Sequence, residues 1–225
     1  MDYFLQPIAT EPELVMVNPP HLSAKAGTLL ARVTDEIAQS PMGFDGEILL
    51  AGSVSRDRIE AFPASWSWQE ARRRYPETFS PYYSGQIGAG IMLYKKDEGW
   101  LWQKRGDDIL DPATWYLSVS GGLLPRQAII EAAISESLEE LQLGVPKMKR
   151  LEPIALRYGP GFSDGAFIIY AAEIVDEIEF RLEPEEVSHI AFHPLESAPL
   201  PQADHLKFIW SSLKPLLEEW RSKRI

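Results

Sequence analysis

Strand-like and helix-like segments alternate along most of this 225-residue chain. Runs such as GIMLYKK, WLWQK and AFIIYAAEI are apolar and aromatic and are typical of strands, whereas segments 24–38 and 126–143 carry apolar residues at helical spacing. A closing helix is expected in HLKFIWSSLKPLLEEW, interrupted at Pro215. The alternation predicts an α/β or α+β fold in which helices flank a sheet.

Charge and composition exclude several classes of protein. The chain has 33 acidic and 22 basic residues, a net charge of −11, and a surface of that sign repels phosphate backbones, so we expect no nucleic-acid partner. The chain contains no cysteine, which rules out disulfides, thiolate nucleophiles and Cys-ligated metals. Because no apolar run is long enough to span a bilayer and the N-terminus lacks a secretory pattern, we expect a cytoplasmic protein without a membrane partner.

Segment 126–143 carries three glutamates that share one side of a helix. Glu136, Glu139 and Glu140 lie within about 100° of one another around the helix axis. The opposite side is apolar and is expected to pack on the sheet; it comprises Ile130, Ile134, Leu138 and Leu141. Carboxylate oxygens grouped in this way suit Mg²⁺ or Mn²⁺, while a solvated acidic surface is the alternative that the triplet alone leaves open.

The residues around the triplet carry a family resemblance. A double glycine follows a strand directly and opens the helical segment, and this arrangement resembles the Nudix hydrolase box. Gly121 takes the place of the first glycine of that box, Glu136 that of its first helical glutamate, and Glu139-Glu140 that of its paired glutamates, with Leu143 at the closing apolar position. The resemblance implies an α/β/α sandwich with a mixed sheet over residues 85–225. Residues 1–84 would then form an N-terminal α/β extension, weakly similar to that of Nudix hydrolases acting on nucleotide sugars.

The sequence departs from the family pattern at three positions of the box. Gln127 and Ser135 stand where the box has an acid and an arginine, and Gln142 stands where it has a late glycine. Because Gln127 and Ser135 are both neutral, no buried charge is left unpaired, and a hydrogen bond between them can replace the ion pair. The departures therefore predict an altered support beneath a retained set of glutamates.

The resemblance also implies a divalent cation, Mg²⁺ or Mn²⁺, and a set of ligands for it. Glu136 and Glu140 are the first candidates for ligands, and the backbone carbonyl of Gly121 is a further one. Glu139 is expected to complete the ligand set and to serve the catalysis.

Other site residues are expected outside the box. Among the acids of the last loop, Glu186 matches the general base best by its place before Val187-Ser188, with Glu183 and Glu185 as the other candidates. Arg105 is expected near the phosphates of the substrate, and Trp115 is expected to stack on its base or sugar.

These features predict a Nudix-type pyrophosphohydrolase that cleaves a nucleoside diphosphate linked to another moiety, with nucleotide sugars as one such class. The alternative is a catalytically weak or inactive Nudix-fold module that binds a nucleotide as a sensor, and the three departures favour it. An isoprenoid-diphosphate isomerase is set aside because that chemistry uses a cysteine. The extension is expected to shape the substrate pocket or to form the interface of a homodimer.

Overall fold

The structure, a computed structural model, describes residues 4–40, 45–107, 113–158, 164–175, 178–183, 185–199 and 204–223. The strands are β1 (Phe4–Pro7), β2 (Glu13–Met16), β3 (Glu47–Val54), β4 (Arg58–Ser65), β5 (Gly85–Lys95), β6 (Gly99–Arg105), β7 (Trp115–Tyr116), β8 (Val119–Gly122), β9 (Met148–Tyr158), β10 (Asp164–Ile174) and β11 (Val187–His193). The helices are α1 (Ala24–Gln39), α2 (Trp66–Arg74), α3 (Pro76–Phe79), α4 (Ile129–Leu141) and α5 (Asp204–Ser222), and a 3-10 turn covers Val145–Lys147. None of the helices in these ranges has the length and apolar character needed to span a membrane.

The strands form a mixed sheet around β5. Its main path runs β1-β9-β10-β5-β3-β4-β2, in which β10 pairs with β5 and β2 pairs with β4 in parallel, while the other neighbours on this path are antiparallel. The opposite edge of β5 serves three strands in turn: its start pairs with β3, its middle with β8 and its end with β6. Strand β6 also pairs with β7 and β11. Along this edge of β5, the partner strand therefore changes from β8 to β6 after Ile91.

Helices cover both faces of this sheet. Alternate residues of β5, such as Ile87 and Ile91, share one core with Ile129 and Ala133 of α4. The intervening residues Met92 and Tyr94 share a second core with α5, through Leu213, Leu217 and Trp220. This period-two division follows from strand geometry and confirms the predicted α/β/α sandwich with a mixed sheet.

The N-terminal region continues the same sheet. Helices α1 and α2 pack over β3 and β4 around a third core that includes Val33, Leu50 and Phe62. Strand β3 joins β5 through the pairs Leu50–Gln86 and Ala51–Gly85. The region thus has the α/β character predicted for the extension, and the division of the chain after residue 84 stays a prediction.

Several element boundaries differ from the sequence expectations. Helix α5 continues through Pro215 instead of breaking there, because the buried side chains of Leu213 and Leu217 hold both halves against the sheet. The segment WYLSVS is two strands and not one, since Ser118 lies between them, accepting from the Leu93 N–H and donating to the Leu101 carbonyl. Strands β1 and β2 were not expected, because four residues are too few to give a periodic signal.

Candidate active site

Three glutamates converge next to Gly121 of β8. Glu136 and Glu140 project from α4, and Glu186 lies in the turn that precedes β11. One carboxylate oxygen from each lies within 4.8 Å of the other two. Glu140 is only 4% exposed, Glu136 is partly buried and Glu186 is exposed. The fold therefore builds a carboxylate cluster that is closed on the helix side and open at Glu186.

The side of α4 that faces the sheet differs from the one predicted. Leu138, expected in the core, is 49% exposed, whereas Glu140, expected on the opposite side, is buried. The buried residues of α4 are mostly small or share the side of the glutamates; they are Ile129, Ala132, Ala133, Ser137, Glu140 and Leu141. Small side chains let α4 lie close to the strands. The helix is therefore turned about its axis, relative to the prediction, so that the carboxylates of Glu136 and Glu140 point inward.

Gly121 is shaped to receive one of these carboxylates. A Cβ atom at this position would lie 1.7 Å from Oε1 of Glu136 and 1.9 Å from its Cδ. A real side chain there would push the Glu136 carboxylate out of its place, so the absence of a side chain is what admits it. The expectation that the Gly121 carbonyl is a metal ligand stays a prediction.

The ionised form of these glutamates is energetically unfavourable in the metal-free protein. Burial, together with the smaller effects of the nearby charges of Glu139 and Glu186, raises the pKa of Glu136 to about 8. Burial also raises the pKa of Glu140 well above its ordinary value, with the charges of Glu136 and Glu186 adding to the effect. The charge of Arg105 and the Ser120 N–H, which donates to the Glu140 carboxylate, oppose this rise.

The donor set fits a hard divalent cation. Oε2 of Glu140 is buried and has no hydrogen-bond partner among the described residues. A buried carboxylate oxygen without a partner is costly, and three carboxylates around one point repel one another. A cation of the Mg²⁺ type, which is bound by carboxylate oxygens, would remove both costs.

Arg105, the last residue of β6, lies near the cluster. Its guanidinium is near enough to Glu140 to lower the pKa of that carboxyl, and it sits 5.2 Å from the centre of the Tyr116 ring. The role expected for Arg105 near the phosphates stays a prediction.

Two other predicted residues lie away from the three carboxylates. Glu139 is exposed and is not among the three grouped side chains, although its charge is felt at Glu136. Trp115 pairs with Lys104, one residue before Arg105, so it projects from the opposite face of the strands. Its ring contacts His189 and His193, with centroids 5.9 and 6.1 Å away. The roles expected for Glu139 and Trp115 stay predictions.

The departures from the box are accommodated locally. The Gln127 amide Nε2 donates to the Ser135 hydroxyl at 3.4 Å, as predicted, and its Oε1 accepts from the Leu124 N–H at 3.1 Å. Gln142 ends α4 in the left-handed conformation, with φ 53°, where a glycine would be less strained. The Ser137 hydroxyl donates to the Leu143 carbonyl at 2.8 Å and so binds the helix to the residue that follows its end.

The sequence did not point to Ser120, because its contribution to the site is a backbone N–H. Any residue type except proline supplies the same donor at that position, so no side-chain pattern marks it. Glu186 was found only by its place in the chain, 46 residues after Glu140, where no helical or strand period connects the two.

Comparison with known proteins assigns the chain to a family. The family model for the NUDIX domain matches residues 85–213. Similar solved structures include DR0079 from Deinococcus radiodurans, at 16% identity and a TM-score of 0.49, covering 76% of this chain and 98% of that one. An Ap4A hydrolase from C. elegans is 18% identical with a TM-score of 0.45, covering 60% of this chain and 96% of that one.

A NUDIX hydrolase from Nitrosomonas europaea is 20% identical with a TM-score of 0.46, covering 61% of this chain and 73% of that one. No curated protein matches the sequence. Because the family model spans more than half of the residues, this chain belongs to the Nudix family of pyrophosphohydrolases.

Proposed function

We propose that this Nudix hydrolase cleaves the diphosphate bond of a nucleoside diphosphate linked to another moiety, with Mg²⁺ or Mn²⁺ held by the glutamate cluster. The observation that carries the proposal is the convergence of Glu136, Glu140 and Glu186 around one point, with a buried Glu140 oxygen that lacks a partner. Membership of the family supplies the reaction class. The identity of the metal and the class of substrate go beyond family membership and belong to the proposal.

Glu136 and Glu140 are the proposed principal ligands of the cation, with the Gly121 carbonyl as a further one. Glu139 would complete the ligand set and serve the catalysis from the exposed side of α4. A cation bound there would neutralise the diphosphate oxygens and make the attacking water easier to deprotonate.

Glu186 and Arg105 are proposed to act on the reactants themselves. The Glu186 carboxylate is the exposed member of the cluster, so it can face the cation and also accept the proton of a water that attacks phosphorus. The Arg105 guanidinium is proposed to bind the phosphate oxygens by charge-assisted hydrogen bonds. Trp115 is kept as a candidate contact for the base or sugar.

We also propose that residues 1–84 shape the substrate pocket, with a homodimer interface as the other role. The support for a role at the pocket is that the Leu49 N–H of β3 donates to the Leu123 carbonyl at 3.0 Å. Leu123 directly follows Gly122 and begins the loop that leads into α4, so the extension is attached to the box. Because residues 1–84 are weakly similar to the extension of Nudix hydrolases acting on nucleotide sugars, nucleotide sugars are the first substrates to test. The cytoplasmic location and the absence of nucleic-acid and membrane partners stay predictions.

The test is hydrolysis of a panel of nucleotide sugars, dinucleoside polyphosphates and nucleoside triphosphates in Mg²⁺, in Mn²⁺ and in EDTA. We expect metal-dependent release of a nucleoside monophosphate, with one water consumed for each bond broken. Glu136→Gln and Glu140→Gln should abolish release, while Glu196→Gln, an exposed glutamate outside the site, should not. The proposal fails if no compound is cleaved and both cluster variants bind Mn²⁺ as tightly as the wild type does.

The departures at Gln127, Ser135 and Gln142 favour a second candidate, a nucleotide-binding module with weak or no catalysis. That candidate predicts that a nucleotide raises the melting temperature while remaining intact after incubation with Mg²⁺. Turnover of the same nucleotide would rule this candidate out.

A further inference from the structure

Glu186 owes its place to backbone contacts with two other elements of the site. It belongs to the Glu186 loop, defined as residues 181–183 and 185–187. The Gly106 N–H donates to the Glu186 carbonyl at 2.8 Å, directly after the strand that carries Arg105. The Glu186 and Val187 N–H groups both donate to the Glu183 carbonyl, at 3.0 and 2.8 Å, which closes a tight turn.

Gly106 makes this contact because it has no side chain. A Cβ atom there would lie 2.3 Å from the Glu185 carbonyl oxygen and 2.9 Å from the carbonyl carbon. The obstacle is backbone and not the flexible end of a side chain, so it cannot rotate aside. The φ of Gly106 is not positive, so an alanine suits the local backbone and only the clash excludes it.

A second attachment ties the Glu186 loop to α4. The Glu183 N–H donates to the Glu140 carbonyl at 3.2 Å, and the Arg181 N–H donates to the Leu141 carbonyl at 3.4 Å. The last carbonyls of a helix have no partner within the helix, so they are available to a neighbouring segment. The same residue, Glu140, therefore anchors the loop through its backbone and faces Glu186 through its side chain.

A β-bulge provides the third attachment. The pairing of β11 with β6 shifts between Val187 and His189, which leaves Ser188 as the extra residue. The Ser188 hydroxyl donates to the carbonyls of Lys104 and Arg105, at 3.1 and 3.0 Å. The bulge thus fixes where β11 begins relative to Arg105.

We propose that Gly106 is a positioning residue, which holds the Glu186 carboxylate at the cation site by letting the Glu186 loop lie directly against the end of β6. Ser188 supports the same placement from the other side of the turn. This inference rests on the proposed function, because it concerns the role of Glu186 at the cation. Neither residue is among the three side chains grouped around the proposed cation site.

The test measures Mn²⁺ binding to the metal-free protein by titration calorimetry, together with its melting temperature in EDTA. We expect Gly106→Ala to weaken Mn²⁺ binding by about tenfold, the lower range for loss of a supporting contact. Gly27→Ala is the matched control, because a Cβ at Gly27 meets nothing within 4 Å, and it should bind Mn²⁺ as the wild type does.

A double variant separates positioning from general destabilisation. If Gly106 acts through Glu186, then Gly106→Ala added to Glu186→Gln causes no further loss of Mn²⁺ affinity. Losses that multiply in the double variant would overturn the inference, as would wild-type Mn²⁺ affinity in Gly106→Ala or in Glu186→Gln.

If Gly106→Ala does not fold, Ser188→Ala decides the question, since Ser188 is exposed and its loss removes only a hydroxyl. It should weaken Mn²⁺ binding in the same direction and again add nothing to Glu186→Gln; unchanged binding would overturn the inference. Wild-type Mn²⁺ affinity in Glu136→Gln and Glu140→Gln would instead refute the proposed function.

Discussion

Replacing Glu136 by glutamine should change how the stability of the metal-free protein depends on pH. The pKa of Glu136 lies at about 8 in the folded protein, raised from 4.5 first by burial and then by Glu139 and Glu186. Between these two values the folded state holds a proton that the unfolded state has lost. Stability therefore falls as the pH rises through this window, and the full contribution is present only below it.

The size of the effect follows from the two pKa values. Between pH 6 and pH 8 the wild-type free energy of unfolding should decrease by about 2 kcal/mol through Glu136 alone. For a chain of this length that is roughly 4–8 °C in melting temperature. Glutamine has no proton to lose, so Glu136→Gln should escape this part of the decrease and become the more stable protein at pH 8.

The assay is urea unfolding at pH 6 and pH 8 in EDTA, compared between wild type and Glu136→Gln, with Glu196→Gln as the surface control. Adding Mn²⁺ at pH 8 should stabilise the wild type and leave Glu136→Gln nearly unchanged, because the cation replaces the proton at the carboxylate. Parallel pH profiles for wild type and Glu136→Gln in EDTA would refute the reasoning that burial holds a proton on this residue.

Three further predictions concern single residues. Gly121→Ala should displace the Glu136 carboxylate and weaken Mn²⁺ binding, measured by calorimetry, by at least about tenfold. The melting temperature, measured by thermal unfolding, should change little. Unaltered Mn²⁺ binding would contradict the role of the glycine. Gln142→Gly should raise the free energy of unfolding by about 1 kcal/mol, measured in urea, because it relieves the left-handed backbone at the end of α4. The pKa of Glu70 is lowered first by its hydrogen bond with Arg73, so Glu70→Gln should reduce the free energy of unfolding by about 1–2 kcal/mol at pH 7. The reduction should be smaller as the pH falls below 4.5, because protonation of Glu70 removes this stabilisation from the wild type as well. An equal reduction at pH 7 and below pH 4.5, measured in urea, would count against the ion pair.

Much of the fold followed from local pattern. The hairpin of β5 and β6, the paired strands β9 and β10, and the helices α1 and α4 are each long or strongly periodic, and the structure has them near the predicted places. Where the predicted elements differ from the structure, the cause lies in tertiary contacts and not in the local sequence. Pro215 does not break α5, because tertiary packing outweighs the local cost, and β1 is held by its pairing with β9 and not by its own sequence.

The hydrogen bond between Gln127 and Ser135 was predictable because both residues lie within one short stretch of chain. Two neutral side chains at positions that hold an ion pair in the family pattern call for a neutral contact, and the chain makes one at 3.4 Å. Local spacing was enough, since the loop before α4 and the second turn of that helix are covalently close.

The sequence by itself determined the layered fold class, the presence of the glutamate triplet and the glycine that precedes it. Only the tertiary structure decided which glutamates meet. Helical spacing says which residues share a side of α4, but the side that turns inward depends on the surface it meets, and here small residues such as Ala133 and the bare backbone of Gly121 let the carboxylates in. Glu186 joins them because strand pairing between β6 and β11 brings together parts of the chain that no local period connects, whereas Glu139 is exposed on α4 and lies outside the group.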